Sequence, residues 1–351
     1  MKIEQRRPTR NIRGLCSLLG HTRQAYYKHI RREEKSALEY DLLLQQVAIL
    51  RKSQKRIGTR KILFMLRDFI TEHKFSIGRD AFFDLLRENN LLIRKRRGGK
   101  PRTTFSNHWY KKYNNLIVGF IPTAANQLWV SDITYVHLEN EFAYLNLITD
   151  AYSRKIIGFY LCEDLSAKGT IQALKMALQS IGKREKESSR LIHHSDRGLQ
   201  YCSNDYVKQL NDNFIDISMT QTGDPRDNAL AERVNGILKD ELLEEVYPDF
   251  KQAQIAIALA ISIYNYQRPH CSIDMLTPVK AHEKTGELKR LWKNYYPIST
   301  YLMSFAVSKY SAFSHFYQRI SDPSQKMEVK YYSKLVFSRN IGSSFLQQFS
   351  E

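Results

Sequence analysis

The sequence has few cysteines and no long apolar run. Its four cysteines among 351 residues are Cys16, Cys162, Cys202 and Cys271. They form no C-x-x-C pair and have no spacing suited to zinc, so we expect reduced thiols in a cytosolic protein. The longest strongly apolar run, Ile255 to Tyr264, has ten residues, whereas a membrane span needs about 20. The basic, polar first twenty residues lack the pattern of a secretory signal, which predicts a soluble, cytoplasmic protein.

Acidic residues are scarce in the first third of the chain. Residues 1–112 hold 28 Lys or Arg and 10 Asp or Glu, whereas residues 113–351 hold 26 of each. The whole formal net charge of +18 therefore belongs to the first third. Such a concentrated positive charge suits a polyanion, because each neutralised phosphate releases condensed counterions. A solubilising basic face is the alternative interpretation.

Apolar periodicity predicts helices in residues 1–93. Thr22 is a suitable N-cap for a helix that runs towards Lys52. Two shorter periodic segments follow, one after Gly58 and one entered through Ser76-Ile77-Gly78. Short helices joined by a turn in a basic region are typical of a helix-turn-helix-like DNA-binding region, although an ordinary helical hairpin fits the same pattern.

Residues 94–121 have the composition of a basic linker. Gly98-Gly99 and Pro101 disfavour regular structure there. The cations of this linker are Arg94, Lys95, Arg96, Arg97, Lys100 and Arg102. We expect them to lie along a DNA backbone, although a solvated hinge has the same composition.

From residue 122 the pattern changes to that of an α/β (α+β) domain, which we place at 122–285. Three β-branched and aromatic runs joined by short turns predict an antiparallel meander at 128–136, 142–149 and 156–161. Alternating helices and strands follow: a helix capped by Ser166, a strand at 191–194, a helix at 204–211, a strand at 214–217, and helices after Pro225 and Asp249. This order predicts a mixed sheet flanked by helices, as in ribonuclease-H-like folds. We place a C-terminal tail of unknown role at 286–351, and residues 297–351 carry no recognisable motif.

Three acidic residues stand out in this domain. Asp132 lies inside an apolar strand, where an unpartnered carboxylate is costly. Asp196 ends a strand, and Glu232 lies in a helix that we expect to begin at Asp224-Pro225. Three carboxylates suit a hard cation such as Mg²⁺. Each acid alone also has a structural explanation, as a helix cap, a solvated helix face or the partner of a buried arginine.

The sequence around these acids carries an ordered set of motifs. They are WVSDITY (129–135), DAYSRKIIG (150–158), HSDRGLQY (194–201), DNALAE (227–232) and YNYQRPH (264–270), with Thr277-Pro278 after them. Thirty-five residues separate Asp196 from Glu232, and Lys239 follows seven residues later. Over residues 10–297 the chain resembles the second-frame (OrfB) transposases of the insertion-sequence 3 family, whose core is similar to retroviral integrases.

The resemblance implies a ribonuclease-H-like integrase core with Asp132, Asp196 and Glu232 as catalytic, metal-binding residues. It implies metal-dependent cleavage and strand transfer at the ends of an insertion sequence, with two Mg²⁺ ions that Mn²⁺ can replace, through a circular DNA intermediate. The implied partners are double-stranded DNA (terminal inverted repeats and target), a second copy of the chain, and a first-frame protein joined by frameshifting. The implied location is the bacterial cytoplasm, at the nucleoid.

Other classes fit parts of the sequence. A catalytically silent DNA-binding regulator from the same family is the main alternative. A tyrosine or serine recombinase would work without metal, and a nuclease acting on RNA–DNA hybrids would not require the basic first third.

Two basic residues of the domain are further candidates for DNA contact. On a helix Lys239 lies nearly two turns beyond Glu232 and on the same face, so we expect it to contact a phosphate rather than to pair with an acid on the surface. Arg268 precedes the helix-ending Pro269. It fits a phosphate contact or a role at the carbonyls of the helix end. For His193-His194 we favour packing beside Asp196 over zinc binding.

Overall fold

The computed structural model describes residues 12–94, 108–181, 190–221 and 228–289. Several residues of the predictions lie outside these ranges. They are the linker cations Lys95, Arg96, Arg97, Lys100 and Arg102, the pair Asp224-Pro225, and residues 290–351.

The basic N-terminal region is helical, as predicted. Its helices are α1 (Ile12–Leu18), α2 (Arg23–Ser53), α3 (Thr59–Met65), α4 (Arg67–Glu72) and α5 (Arg79–Glu88). Thr22 caps α2, since its Oγ1 accepts a hydrogen bond of 3.1 Å from the backbone N–H of Ala25. Buried apolar side chains from the second half of α2 pack against α3 and α5. Examples are Leu43 of α2, Ile62 of α3 and Phe82 of α5.

A five-stranded mixed sheet forms the centre of the following domain. Its strands are β1 (Leu128–His137), β2 (Phe142–Asp150), β3 (Ile156–Cys162), β4 (Ile192–Ser195) and β5 (Asp216–Met219). Their order across the sheet is β3-β2-β1-β4-β5. The first three strands form an antiparallel meander, and β4 and β5 continue from β1 in parallel. The predicted ribonuclease-H-like mixed sheet is confirmed.

Helices cover both faces of this sheet. They are α6 (Ala167–Gln179), α7 (Leu199–Cys202), α8 (Asn204–Asp212), α9 (Ala229–Ile237), α10 (Phe250–Tyr266) and α11 (Pro278–His282). The predicted cap Ser166 is confirmed, because its side chain accepts a backbone N–H group of α6. Asp249, after which a helix was predicted, caps α10 in the same way. Alternate strand residues belong to two separate apolar cores: Leu145 and Leu147 pack with α9 and α10, whereas Ile148 packs with α6 and α8. No described helix combines the length and apolar character needed to cross a membrane.

One predicted boundary in this domain is wrong. Strand β5 begins at Asp216 rather than at Phe214, whose φ of 57° makes it a turn residue with an 84% exposed side chain. In the part of the chain that the structure describes, the helix that carries Glu232 runs from Ala229, with Asn228 as N-cap, and the start predicted at Asp224-Pro225 lies outside that part. Asn228 donates from its Nδ2 to the backbone oxygen of Ser131 at 2.9 Å, so the helix start is tied to β1.

Candidate active site

Asp132 lies at the centre of the sheet. It projects from the middle of β1, half-buried. One carboxylate oxygen, Oδ2, accepts a hydrogen bond of 2.7 Å from Nδ2 of Asn235 in α9. The other, Oδ1, accepts the backbone N–H of Ile133 at 3.0 Å. These two contacts fix the orientation of the carboxylate.

The other two acids come from elements next to β1. Asp196 directly follows β4, the parallel neighbour of β1, and its Oδ1 accepts the backbone N–H of Gly198 at 3.0 Å. Glu232 lies in the first turn of α9. Both side chains are half-buried. Elements that are distant in sequence therefore bring the three predicted acids to one side of the domain.

The charges of Asp196 and Glu232 affect the ionisation of Asp132. Burial raises the pKa of Asp132 to about 7, and the charges of Asp196 and Glu232 act in the same direction. The hydrogen bond from Asn235 opposes this rise only partly. A cluster of acids that repel one another is costly unless cations or protons neutralise it.

The donor chemistry of this cluster suits a hard divalent cation. Carboxylate oxygens are the ligands that Mg²⁺ prefers, and they come here without competing thiolates. Within the described ranges, no three His, Cys, Asp or Glu side chains stand close enough together to hold an ion as they are. The residue types and the repulsion that Asp132 receives from the other two acids fit a divalent cation.

Two histidines beside the cluster have structural partners. His193 Nε2 is hydrogen-bonded to the hydroxyls of Ser131 (2.6 Å) and Tyr206 (2.9 Å), and His194 Nδ1 to Ser218 Oγ (2.8 Å). Both rings are completely buried. Burial and the neighbouring His194 lower the pKa of His193 to about 3, which keeps it neutral. The contacts support the packing role that we favoured over zinc binding.

Sequence reasoning missed Asn235. Its side-chain amide holds Asp132, and its Oδ1 is buried without a hydrogen-bond partner. The available signal was its position three residues after Glu232, which places both side chains on one helix face.

Lys239 follows one turn after Asn235. It lies in a π-helical turn, Leu238–Leu242, that continues α9, and its side chain is half-buried. Burial lowers the pKa of Lys239, whereas the charge of Asp132 opposes that effect. The side chain is therefore close to the acidic cluster. Its predicted contact with DNA stays a prediction.

The predicted DNA contact of Arg268 is wrong. Its side chain is 2% exposed, so no phosphate can reach it. The guanidinium donates from Nε and Nη2 to the two carboxylate oxygens of Glu241, at 2.8 Å each, and its Nη1 is hydrogen-bonded to His270 at 2.8 Å. These partners also differ from the helix-end carbonyls of our alternative interpretation. Arg94, the described linker cation, is exposed, and its contact with DNA stays untested.

Comparison with known proteins places this site in a family. Two protein-family models, both described as integrase core domain, match this chain. The first matches residues 122–225 and the second residues 213–278. A 31 kDa protein of insertion element IS600 from Shigella sonnei is 34% identical over 280 residues, which cover 78% of this chain and 99% of that protein. The transposase InsF of insertion sequence IS3A from Escherichia coli K12 is 28% identical over 291 residues, which cover 80% of this chain and 97% of that protein. The chain belongs to the insertion-sequence 3 family of transposases.

Other relatives of this transposase carry similar descriptions. A putative transposase of IS986/IS6110 from Mycobacterium tuberculosis is 31% identical over 265 residues, covering 73% of this chain and 92% of that protein. Among solved structures, the magnesium complex of the HTLV-2 integrase catalytic core is 19% identical with a TM-score of 0.37, and it covers 46% of this chain and 100% of its own. The predicted family and its integrase core are confirmed.

Proposed function

We propose that Asp132, Asp196 and Glu232 form the catalytic site of this DNA transposase, and that the site cleaves and joins DNA strands with divalent cations. The observation that carries the proposal is the convergence of these three acids from β1, β4 and α9, where the charges of Asp196 and Glu232 raise the cost of ionising Asp132. Family membership supports an enzyme that processes DNA. The finer chemistry follows from the residues.

The three carboxylates would hold the cations, Mg²⁺ or Mn²⁺ and two in number. Such ions activate an attacking oxygen and stabilise a leaving oxygen in an in-line displacement at phosphorus. Asn235 keeps the Asp132 carboxylate in one orientation. Lys239, beside the acids, would neutralise a phosphate of the bound DNA end.

The reaction has two displacements at phosphorus. In the first, water attacks a phosphodiester at the end of the element, a new P–O bond forms and the 3′-oxygen leaves as a hydroxyl. In the second, that 3′-hydroxyl attacks a phosphodiester of another strand and the oxygen of that strand leaves. No covalent bond to the protein is needed, which distinguishes this scheme from a tyrosine or serine recombinase.

The regions that precede the catalytic core would serve DNA binding. We propose that residues 1–93 are a helical DNA-binding region, 94–121 a basic linker along the DNA backbone, and 122–285 the catalytic core, followed by a C-terminal segment at 286–351. The linker cations would be Arg94, Lys95, Arg96, Arg97, Lys100 and Arg102. Joining two ends requires at least two copies of the chain, alone or with a first-frame partner, on the terminal repeats and target DNA at the bacterial nucleoid.

The decisive experiment incubates the full chain with labelled element ends and Mg²⁺, and follows nicked and joined products. We expect Asp132→Asn, Asp196→Asn and Glu232→Gln to abolish both products while end binding stays nearly intact. Asp212→Asn, an exposed acid of α8, is the matched control and stays active. Joining by any of the three variants contradicts the assignment of that residue.

The same preparation separates the alternatives. A silent regulator binds DNA ends but shows no heat of Mn²⁺ binding that depends on Asp132. A recombinase with a protein nucleophile gives a covalent protein–DNA product in EDTA.

A further inference from the structure

Cations of the N-terminal helical region contact one short segment of the catalytic domain. Lys55 forms an ion pair with Glu244. Arg56 donates from Nε to the backbone oxygen of Asp240 at 2.8 Å. Lys61 of α3 donates from Nζ to both carboxylate oxygens of Glu241, at 2.9 and 3.1 Å. All three contacts fall within 240–244, directly after Lys239.

Glu241 is the most enclosed of these contacts. Its carboxylate lies between the ammonium of Lys61 and the guanidinium of Arg268. Exposed fractions of the three side chains are 19% for Glu241, 14% for Lys61 and 2% for Arg268. Burial alone would raise the pKa of Glu241, but the hydrogen bonds and charges of Arg268 and Lys61 lower it. The carboxylate is therefore ionised and held from two directions.

The Lys55–Glu244 pair in the same segment is different. Its side chains are 68% and 53% exposed, so water and salt screen their attraction. Breaking an exposed pair has little effect, whereas removing one partner of a buried pair leaves an uncompensated charge. Of the two acids that N-terminal lysines contact, only Glu241 is held firmly enough to fix the backbone that carries it.

The turn that carries Glu241 also carries Lys239. Residues two apart on a helical turn point to roughly opposite sides, because each residue advances the helix by about 100°. Glu241 faces Lys61 and Arg268, and Lys239 follows one turn after Asn235, the partner of Asp132. The turn is π-helical, with Leu243 N donating to Leu238 O at 2.8 Å. Such wide turns are rare and occur often at functional sites.

We propose that Glu241 is a positioning residue. Held by Lys61 and Arg268, it fixes the rotation of the turn 238–242 and so keeps Lys239 directed towards Asp132. The N-terminal helical region therefore supports the active site in addition to any contact that it makes with DNA. This inference rests on the proposed function, because it concerns the same acidic site.

The first test measures hydrogen exchange on the full chain without DNA. In Glu241→Gln and in Lys61→Met, we expect the backbone amides of 238–243 to exchange at least about tenfold faster, because the turn opens locally. The control Glu244→Gln makes the same chemical change three residues away and leaves these amides protected. Unchanged exchange in both variants overturns the proposal, whatever the catalytic result.

The second test measures strand joining per folded molecule, at a temperature where each variant is fully folded. We expect Glu241→Gln to join about tenfold more slowly at unchanged affinity for DNA ends, and Lys61→Arg to recover the activity that Lys61→Met loses. In the Lys239→Met background, Glu241→Gln should cause no further loss. Additive losses, or a variant that exchanges faster but joins at the normal rate, make Glu241 a structural residue only and overturn the proposal. A wild-type chain that joins no DNA contradicts the proposed function instead, and the exchange test then decides the role of Glu241.

Discussion

The acidic cluster and the Glu241 contact lie close together in the catalytic domain, and their electrostatic surroundings are opposite. Asp132 has Asp196 and Glu232 nearby, and its pKa is raised to about 7. Glu241 has Arg268 and Lys61 as partners, and its pKa is lowered. Glu241 is held between two cations, whereas Asp132 has two further acids among its neighbours. A carboxylate that other acids repel is suited to bind cations, whereas a carboxylate paired with cations stabilises the fold.

The cations of the N-terminal region also fall into two groups, those that contact the catalytic domain and those that are exposed. Lys55, Arg56 and Lys61 contact the segment 240–244 of the catalytic domain. Other cations of this region, such as Arg23, Lys28 and Arg31 of α2, are exposed. Part of the positive charge of this region therefore forms an interface within the chain.

The largest effect is expected where the compensated acid loses its charge. Glu241→Gln should lower the free energy of unfolding by about 3 kcal/mol at pH 7, because Arg268 and Lys61 then share a buried position without an anion. Since folding lowers the pKa of Glu241, its contribution is complete above the unfolded pKa of about 4.3 and is lost as the pH falls through the folded value. Urea unfolding from pH 7 to pH 3 should show the wild type and variant converging. A difference that stays constant over this range contradicts the role of the charge.

The contacts of Glu241 also show which parts of the site were beyond sequence reasoning. The caps Thr22 and Ser166 were predictable because each is a local pattern of a few residues. The partners of Glu241 lie 27 and 180 residues away, at Arg268 and Lys61. No local period records such a pair, so the sequence offered only a phosphate contact or the helix-end carbonyls as partners of Arg268.

The strands and the acidic cluster were predictable to different degrees. The three strands of the meander follow from β-branched and aromatic runs, and the structure places them within two residues of the prediction. Asp132, Asp196 and Glu232 were identified from their motifs. The contact that ties Asn228, before α9, to Ser131 of β1 was not predictable, because the two residues lie 97 positions apart in the sequence. Asn235 was missed because an amide on a helix gives no signal of its own.

The next effect concerns that amide. Asn235→Ala removes a hydrogen bond to the Asp132 carboxylate, and bonds to charged groups contribute about 1.5–3 kcal/mol. We therefore expect strand joining to slow by about 10- to 100-fold with unchanged binding of DNA ends. Asn211→Ala, on the exposed side of α8, is the control and should be fully active. An active Asn235→Ala would show that Asp132 needs no help in keeping its orientation.

A smaller effect, of opposite sign, is expected when the acidic cluster loses a charge. We expect Asp132→Asn to abolish joining, yet in EDTA it should raise the free energy of unfolding by about 1 kcal/mol, because repulsion from Asp196 and Glu232 is relieved. Adding Mg²⁺ should stabilise the wild type more than the variant. Thermal unfolding with and without Mg²⁺ measures both effects. A variant less stable than the wild type in EDTA would mean that the acids are compensated within the chain.

The smallest effect is expected at the exposed pair. Lys55→Met should lower the free energy of unfolding by less than about 1 kcal/mol, because water screens the attraction between Lys55 and Glu244. Lys61→Met makes the same chemical change at a side chain that is 14% exposed, and it should cost more. Raising the salt concentration to about 1 M, where the Debye length is about 3 Å, should remove the effect of Lys55→Met but leave most of the effect of Lys61→Met. Urea unfolding at low and high salt measures this difference. Equal effects at both lysines would mean that the Glu241 contact is as loosely held as the surface pair, and Lys61 could not then fix the turn that carries Lys239.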